Sequence, residues 1–171
     1  MTDTETMERG KTQEQAPPIP DPALKRLQPL VGTWKLEGHA IGSDDYNIKG
    51  TTRFQWLHKD DDSGTGFFLQ QDMEMDYAGK RIVARELIGY DPKTGAFSSS
   101  VYSNMAPDPW PYQWDVRGHG WTIAINHGPM NASFKGTLSA HGNSFTGGWR
   151  PNPGADEKVN TAYDVKGTRI A

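Results

Sequence analysis

The sequence predicts an all-β domain of about ten antiparallel strands, closed as an up-and-down barrel and preceded by one short helix. Three observations carry that expectation. From Gly32 onward, apolar and polar residues alternate at period two, as half-buried strands require. Short glycine-bearing segments separate these stretches and suit hairpin turns. With 19 Gly and 12 Pro in 171 residues, the chain is interrupted too often for long helices. Closing a meander of hairpins removes exposed sheet edges, whereas a sandwich usually needs longer crossing connections.

Residues 1–20 are polar, charged and then proline-rich, and are expected to form a disordered tail before a barrel domain over 21–171. Asp21-Pro22 has the chemistry of a helix start, an N-cap acid with proline at the first helical position. Leu24, Leu27 and Leu30 then form one apolar stripe on a helix ending near Pro29. So short a helix needs a partner, and the end of a barrel is the natural one.

The strands follow in order. In 33–41, Trp34, Leu36, Gly38 and Ala40 share a face. In 48–57 the apolar face carries Ile48, Thr52, Phe54 and Trp56, and in 66–77 it carries Phe67, Leu69, Met73, Met75 and Tyr77, with Gln71 among them. Further alternating segments lie near 80–90, 96–103, 112–118, 121–126, 131–139, 144–150 and 158–169. Ala78-Gly79, Gly118-His119-Gly120 and His141-Gly142-Asn143 read as tight hairpin turns. Asp91-Pro92-Lys93-Thr94-Gly95 reads as a type I turn closed by a left-handed glycine. Two proline-rich loops, 104–111 and 151–157, are longer and suit a barrel rim.

Composition narrows the chemistry. The apolar fraction is only 35%, yet there are 6 Trp, 6 Tyr and 6 Phe, so large aromatics must build the core. A net charge of -3 without a basic run argues against nucleic acid and anionic membranes as partners. No stretch approaches a membrane-spanning length, and the first residues carry no signal-peptide pattern, so a cytoplasmic location is expected. The absence of cysteine excludes disulfides, thiol catalysis and thiolate-bound metals.

Leu30-Val31-Gly32-Thr33-Trp34 is similar to the Gly-x-Trp signature of lipocalin-like (calycin-type) barrels. That resemblance implies that Trp34 closes one barrel end and that a basic residue of the last strand, Arg169, packs over it. More broadly, the helix, the Gly-x-Trp, Gly50-Thr51-Thr52 with Trp56, Gly66-Phe67-Phe68-Leu69-Gln70 and Gly89-Tyr90-Asp91-Pro92 resemble a family of uncharacterised bacterial lipocalin-like proteins. The likeness covers about residues 24–169. It implies a barrel and leaves activity open. Nitrobindins, ten-stranded haem barrels, are more distantly similar. They hold iron through a histidine near the C-terminal strands, and here no histidine follows His141. No cofactor is therefore expected.

The five histidines, His39, His58, His119, His127 and His141, lack the spacing of a shared strand or helix face. His119 and His127 fall at opposite ends of one predicted strand, roughly 24 Å apart. No metal site is expected. Asp60-Asp61-Asp62-Ser63-Gly64 misses the calcium-loop pattern, because the twelfth position is Gln71 rather than Glu. No Gly-x-Ser-x-Gly elbow or phosphate loop is present.

Polar residues on apolar faces are more informative. Ile82, Ala84, Ile88 and Tyr90 place Glu86 on an inward face, where burial would raise its pKa and suit it to acid–base work or to gripping a ligand. The competing arrangements are an ion pair with Arg85 or Arg53, or a register that turns Glu86 to water. The presumed inner faces also carry Trp56, Tyr112, Trp114, Trp121, Phe134, Phe145, Trp149 and Tyr163. The leading expectation is a barrel that binds a small apolar or aromatic molecule, with Trp56, Met73, Glu86, Trp114 and Tyr163 as ligand-binding residues. The alternatives are a non-redox, metal-independent isomerase, cyclase or lyase using Glu86 as its catalytic residue, and a solid barrel that docks another protein. A buried, unpaired Glu86 beside a cavity would favour the enzyme; an apolar cavity without ionisable groups, the binder; no cavity, the docking protein.

Overall fold

The computed structural model describes residues 15–171. The expected disordered tail lies mostly outside them; of its end, residues 15–19 are exposed and Pro20 is buried. The helix is a 3-10 helix, Pro22–Leu30, with the Asp21 carboxylate accepting a hydrogen bond from the Ala23 N–H at 2.8 Å. Its type follows from the leucine spacing. Residues three apart eclipse one another on a helix of three residues per turn, so Leu24, Leu27 and Leu30 all face inward.

Ten antiparallel strands follow: β1 Gly32–Ala40, β2 Ile48–Trp56, β3 Phe68–Tyr77, β4 Lys80–Asp91, β5 Ala96–Ser103, β6 Trp110–Arg117, β7 Gly120–His127, β8 Met130–Leu138, β9 Ser144–Pro151 and β10 Tyr163–Arg169. Each pairs with its chain neighbour, and β1 pairs with β10 to close the barrel. The expected strand 158–169 is shorter at its start. Asp156 accepts backbone hydrogen bonds from Val159 and Asn160 there, so the chain is still turning until Tyr163.

Turn chemistry matches the hairpins. Ala78 (φ 51°) and Gly79 (φ 88°) both adopt left-handed conformations between β3 and β4, the combination whose twist suits a two-residue hairpin. Gly95 (φ 70°) closes the Asp91 turn, its N–H donating to the Asp91 carbonyl at 2.8 Å.

The helix plugs the end where β1 begins, packing against β4 and β6. Trp34 is fully buried beneath it and donates from Nε1 to the Leu30 carbonyl at 2.9 Å. Trp56 sits at the same end, its indole N–H on Gln28 Oε1 at 2.8 Å. Strand alternation then places connections 41–47, 78–79, 104–109, 128–129 and 152–162 together at the opposite, open end. The two long loops therefore share one rim. Outward faces are charged, with ion pairs such as Lys35–Glu37, Arg81–Glu74 and Arg85–Asp72. Among the described residues no helix is long and apolar enough to cross a membrane.

Candidate site in the barrel interior

Inward glycines make room for the aromatics that the composition demanded. Gly136 on β8, Gly147 on β9 and Gly167 on β10 each lie directly beneath a ring: Trp121 and Phe134 over Gly136, Phe134 over Gly147 and Phe145 over Gly167. A β-carbon at any of the three would overlap its ring. Bulky side chains thus lie flat against a wall that has no side chain of its own. The rings touch in succession from the plug upward: Trp34–Phe145 (5.2 Å between centroids), Phe145–Trp121 (5.5 Å), Trp121–Phe134 (6.0 Å), Phe134–Trp149 (5.7 Å) and Trp149–Tyr112 (5.5 Å).

The aromatics do not fill the barrel. A deep chamber of about 140 Å³ remains, with Met73, Tyr112, Trp121, Phe134, Trp149 and Tyr163 among its walls. Above it, toward the open rim, lies a wider chamber of about 510 Å³ that shares Met73, Tyr112, Trp149 and Tyr163. Met105 on one long loop, Trp110 at the start of β6, and Lys158 to Thr161 on the other loop line this mouth.

One carboxylate faces the deep chamber. Glu86, 4% exposed, has its Oε1 fixed by two donors, the Ser99 hydroxyl at 2.5 Å and the Trp114 indole N–H at 2.9 Å. These groups come from the inward faces of β4, β5 and β6, which the strand registers bring together. Burial pushes the Glu86 carboxyl up to about 7, against the smaller opposing effect of the two hydrogen bonds. Neither competing arrangement occurs. Glu86 does not face water, and Arg85 instead holds Asp72 on the outer face, Nε to Oδ1 at 2.6 Å. Arg53 sits outward opposite Asp72 in the strand register.

Beside Glu86, directly opposite in the β3–β4 register, is Gln71. Its amide orientation is set by its neighbour. The Thr52 hydroxyl donates to the Asp72 carbonyl at 3.3 Å, so it can only accept from Gln71, and Gln71 Nε2 lies 2.9 Å from it. Both residues line the chamber, and neither Gln71 Oε1 nor Glu86 Oε2 accepts a hydrogen bond from a donor among the described residues. Tyr112 and Tyr163 complete the polar atoms. Burial raises both pKa values, helped for Tyr112 by the Glu86 charge and for Tyr163 by Tyr77, so both stay protonated near neutrality.

Of the residues expected to bind a ligand, the structure brings Met73, Glu86, Trp114 and Tyr163 together around the deep chamber. Trp56 stands apart, against the helix at the plugged end. None of the five histidines lines either chamber, and no group of three or more His, Cys, Asp or Glu residues able to hold a metal occurs among the described residues. Sequence reasoning does not single out Ser99: Phe97, Ser99 and Val101 share one face of 96–103, but Ser99 is the middle residue of a serine run and reads as part of a polar stretch.

The family described as "Protein of unknown function (DUF1579)" matches residues 20–146, and the chain belongs to it. No curated protein matches the chain. Among solved structures, the crystal structure of Rv2717c from M. tuberculosis is similar at 14% identity and a TM-score of 0.42, over 90% of this chain and 100% of that one.

Proposed function

We propose that this member of the DUF1579 family is a small-molecule-binding barrel whose ligand places one ring, or an equivalent apolar group, in the deep chamber. The chamber itself carries the reading. An apolar cavity of about 150 Å³ in another protein suffices to bind benzene, and the chamber here is about 140 Å³ and walled largely by aromatic and methionine side chains. The wider space above it leaves room for the rest of a larger ligand, which would leave between the two rim loops. The packing of Arg169 over Trp34 supports placing the chain among lipocalin-like barrels.

A second reading, an isomerase, cyclase or lyase, draws on Glu86. A carboxyl near 7 inside a chamber is suited to passing a proton in either direction. The chamber's other ionisable groups, Tyr112 and Tyr163, are held protonated, so it offers no second group that changes state near neutral pH. The chamber is not free of ionisable groups, but Glu86 is held by Ser99 and Trp114 rather than unpaired, and binding is the better account.

The test is a thermal-shift and calorimetric titration with single-ring probes such as toluene. Concentration-dependent stabilisation is expected. Ala84→Phe, which fills the chamber wall from β4, is expected to abolish it. Equal shifts in the parent and the filled variant, or none in either, would sink the proposal.

A further inference from the structure

Building on that reading, we infer that the ligand is a basic amine that carries an aromatic ring on its alkyl chain, held by Glu86 Oε2 and Gln71 Oε1 acting together as a pair of acceptors. The donor–acceptor balance of the chamber floor supports this. The donors that touch Glu86 and Gln71 are engaged within the protein: Ser99 Oγ and Trp114 Nε1 on Glu86 Oε1, Gln71 Nε2 on Thr52, and the Thr52 hydroxyl on the Asp72 carbonyl. The Tyr112 and Tyr163 hydroxyls also line the chamber. What Glu86 and Gln71 themselves keep for a ligand is one acceptor oxygen each, on two residues directly opposite each other in adjacent strands. A primary ammonium carries three N–H donors on one nitrogen and can serve both.

Charge selects among donors. A neutral hydroxyl could satisfy an acceptor but would leave an ionised Glu86 uncompensated in an apolar chamber, which is costly. A cation neutralises it. Tyr112, Trp114, Trp121 and Trp149 stand round the same space, and aromatic ring faces attract cations. The charged and titratable groups facing the two chambers from all strands are Glu86, Tyr77, Tyr112, Tyr163, Lys80 and Lys158. The two lysines lie exposed at the rim, beyond the deep floor. Glu86 is thus the group whose charge an amine must meet.

The probes are benzylamine, benzyl alcohol and toluene, which share one ring and differ in the attached group, titrated by calorimetry into the full chain between pH 6 and pH 8. Benzylamine is expected to bind at least about tenfold more tightly than toluene at pH 8. Its affinity is expected to fall on the order of tenfold toward pH 6, as Glu86 takes up a proton, while toluene changes little. Glu86→Gln should bring benzylamine to the level of toluene, and Gln71→Leu should reduce its advantage while preserving the pH dependence. Benzylamine binding no tighter than benzyl alcohol or toluene would overturn the inference while leaving the binding chamber in place. Failure of all three to bind would remove the chamber reading, and the inference with it. The pH profile of the unaltered protein decides the matter even if a variant does not fold.

Discussion

The guanidinium of Arg169 lies over the indole of Trp34, its carbon 4.1 Å from the ring centroid, and joins the last strand to the first above the plugged end of the barrel. The same side chain donates to the carbonyls of Val31, Pro29 at 2.8 Å and Gly142 at 3.1 Å, so it also ties the end of the helix and the β8–β9 turn to the wall. Trp34 is fully buried, and Trp34→Ala is expected to cost about 3–5 kcal/mol. Arg169→Ala should cost less. The pair should couple by roughly 0.5–2 kcal/mol in a double-mutant cycle measured by urea unfolding. Additive losses would mean that the stacking seen here contributes nothing.

This pairing is what the resemblance of Gly32-Thr33-Trp34 to the Gly-x-Trp signature of lipocalin-like barrels implies. Most strand faces, by contrast, follow from alternation alone. The apolar neighbours Ile82, Ala84, Ile88 and Tyr90 pointed Glu86 inward, and it is buried. Alternation gives the face of a residue but not its height along the barrel axis. Trp56 has an inward face, yet it meets Gln28 at the plug and not the chamber. Alternation does not show which ring lies over which glycine, and so not the chamber's shape: Gly136, Gly147 and Gly167 form the wall on which the rings lie. The start of β10 was hidden for a similar reason. Val159 and Thr161 continue an alternating pattern through residues that Asp156 holds in a turn.

The glycine wall makes a direct prediction. Gly136→Ala adds a methyl where Trp121 and Phe134 already lie, and overpacking of this kind costs about 1–3 kcal/mol. The displaced rings have only the chamber to move into, so binding of single-ring probes should weaken in parallel. Gly120→Ala, whose methyl would meet only ordinary contacts, serves as the control. Equal stability of the two variants in urea would contradict the account of how the aromatics fit.

Glu86 should leave a signature in the pH dependence of stability. The folded state keeps its proton up to about pH 7, whereas the unfolded chain releases it near 4.5. Between those values the folded state binds more protons, so stability falls as pH rises and levels off above about 7. The full change is roughly 3 kcal/mol. Glu86→Gln keeps an acceptor for Ser99 and Trp114 and has no proton to lose, so its stability should be flatter across the same interval and higher than the parent's at pH 8. A parent whose stability rises from pH 5 to pH 8 would show that the carboxyl is not held neutral by burial.

Access to the chamber depends on how firmly the rim is held, and one side chain holds much of it. Asn160, 3% exposed, accepts from the Asn131 N–H at 2.8 Å and donates to the carbonyls of Pro129 at 3.0 Å and Asp156 at 3.1 Å. It thereby fastens the 152–162 connection to the β7–β8 hairpin across the mouth. Asn160→Ala leaves the Asn131 N–H and two carbonyls without these partners, and a buried group left unpaired costs about 1–3 kcal/mol. The deep walls are untouched by the change, so the loss should be local. Amide hydrogen exchange is expected to accelerate in residues 153–162 and around Pro129, with little change in β3 to β6. A ligand entering between the rim loops should then associate and dissociate faster, with its equilibrium affinity nearly preserved, because the contacts made in the deep chamber are the same in both proteins. Stopped-flow kinetics with a single-ring probe measures both rates. Unchanged rates alongside faster exchange at the rim would mean that ligands enter by a route other than this mouth.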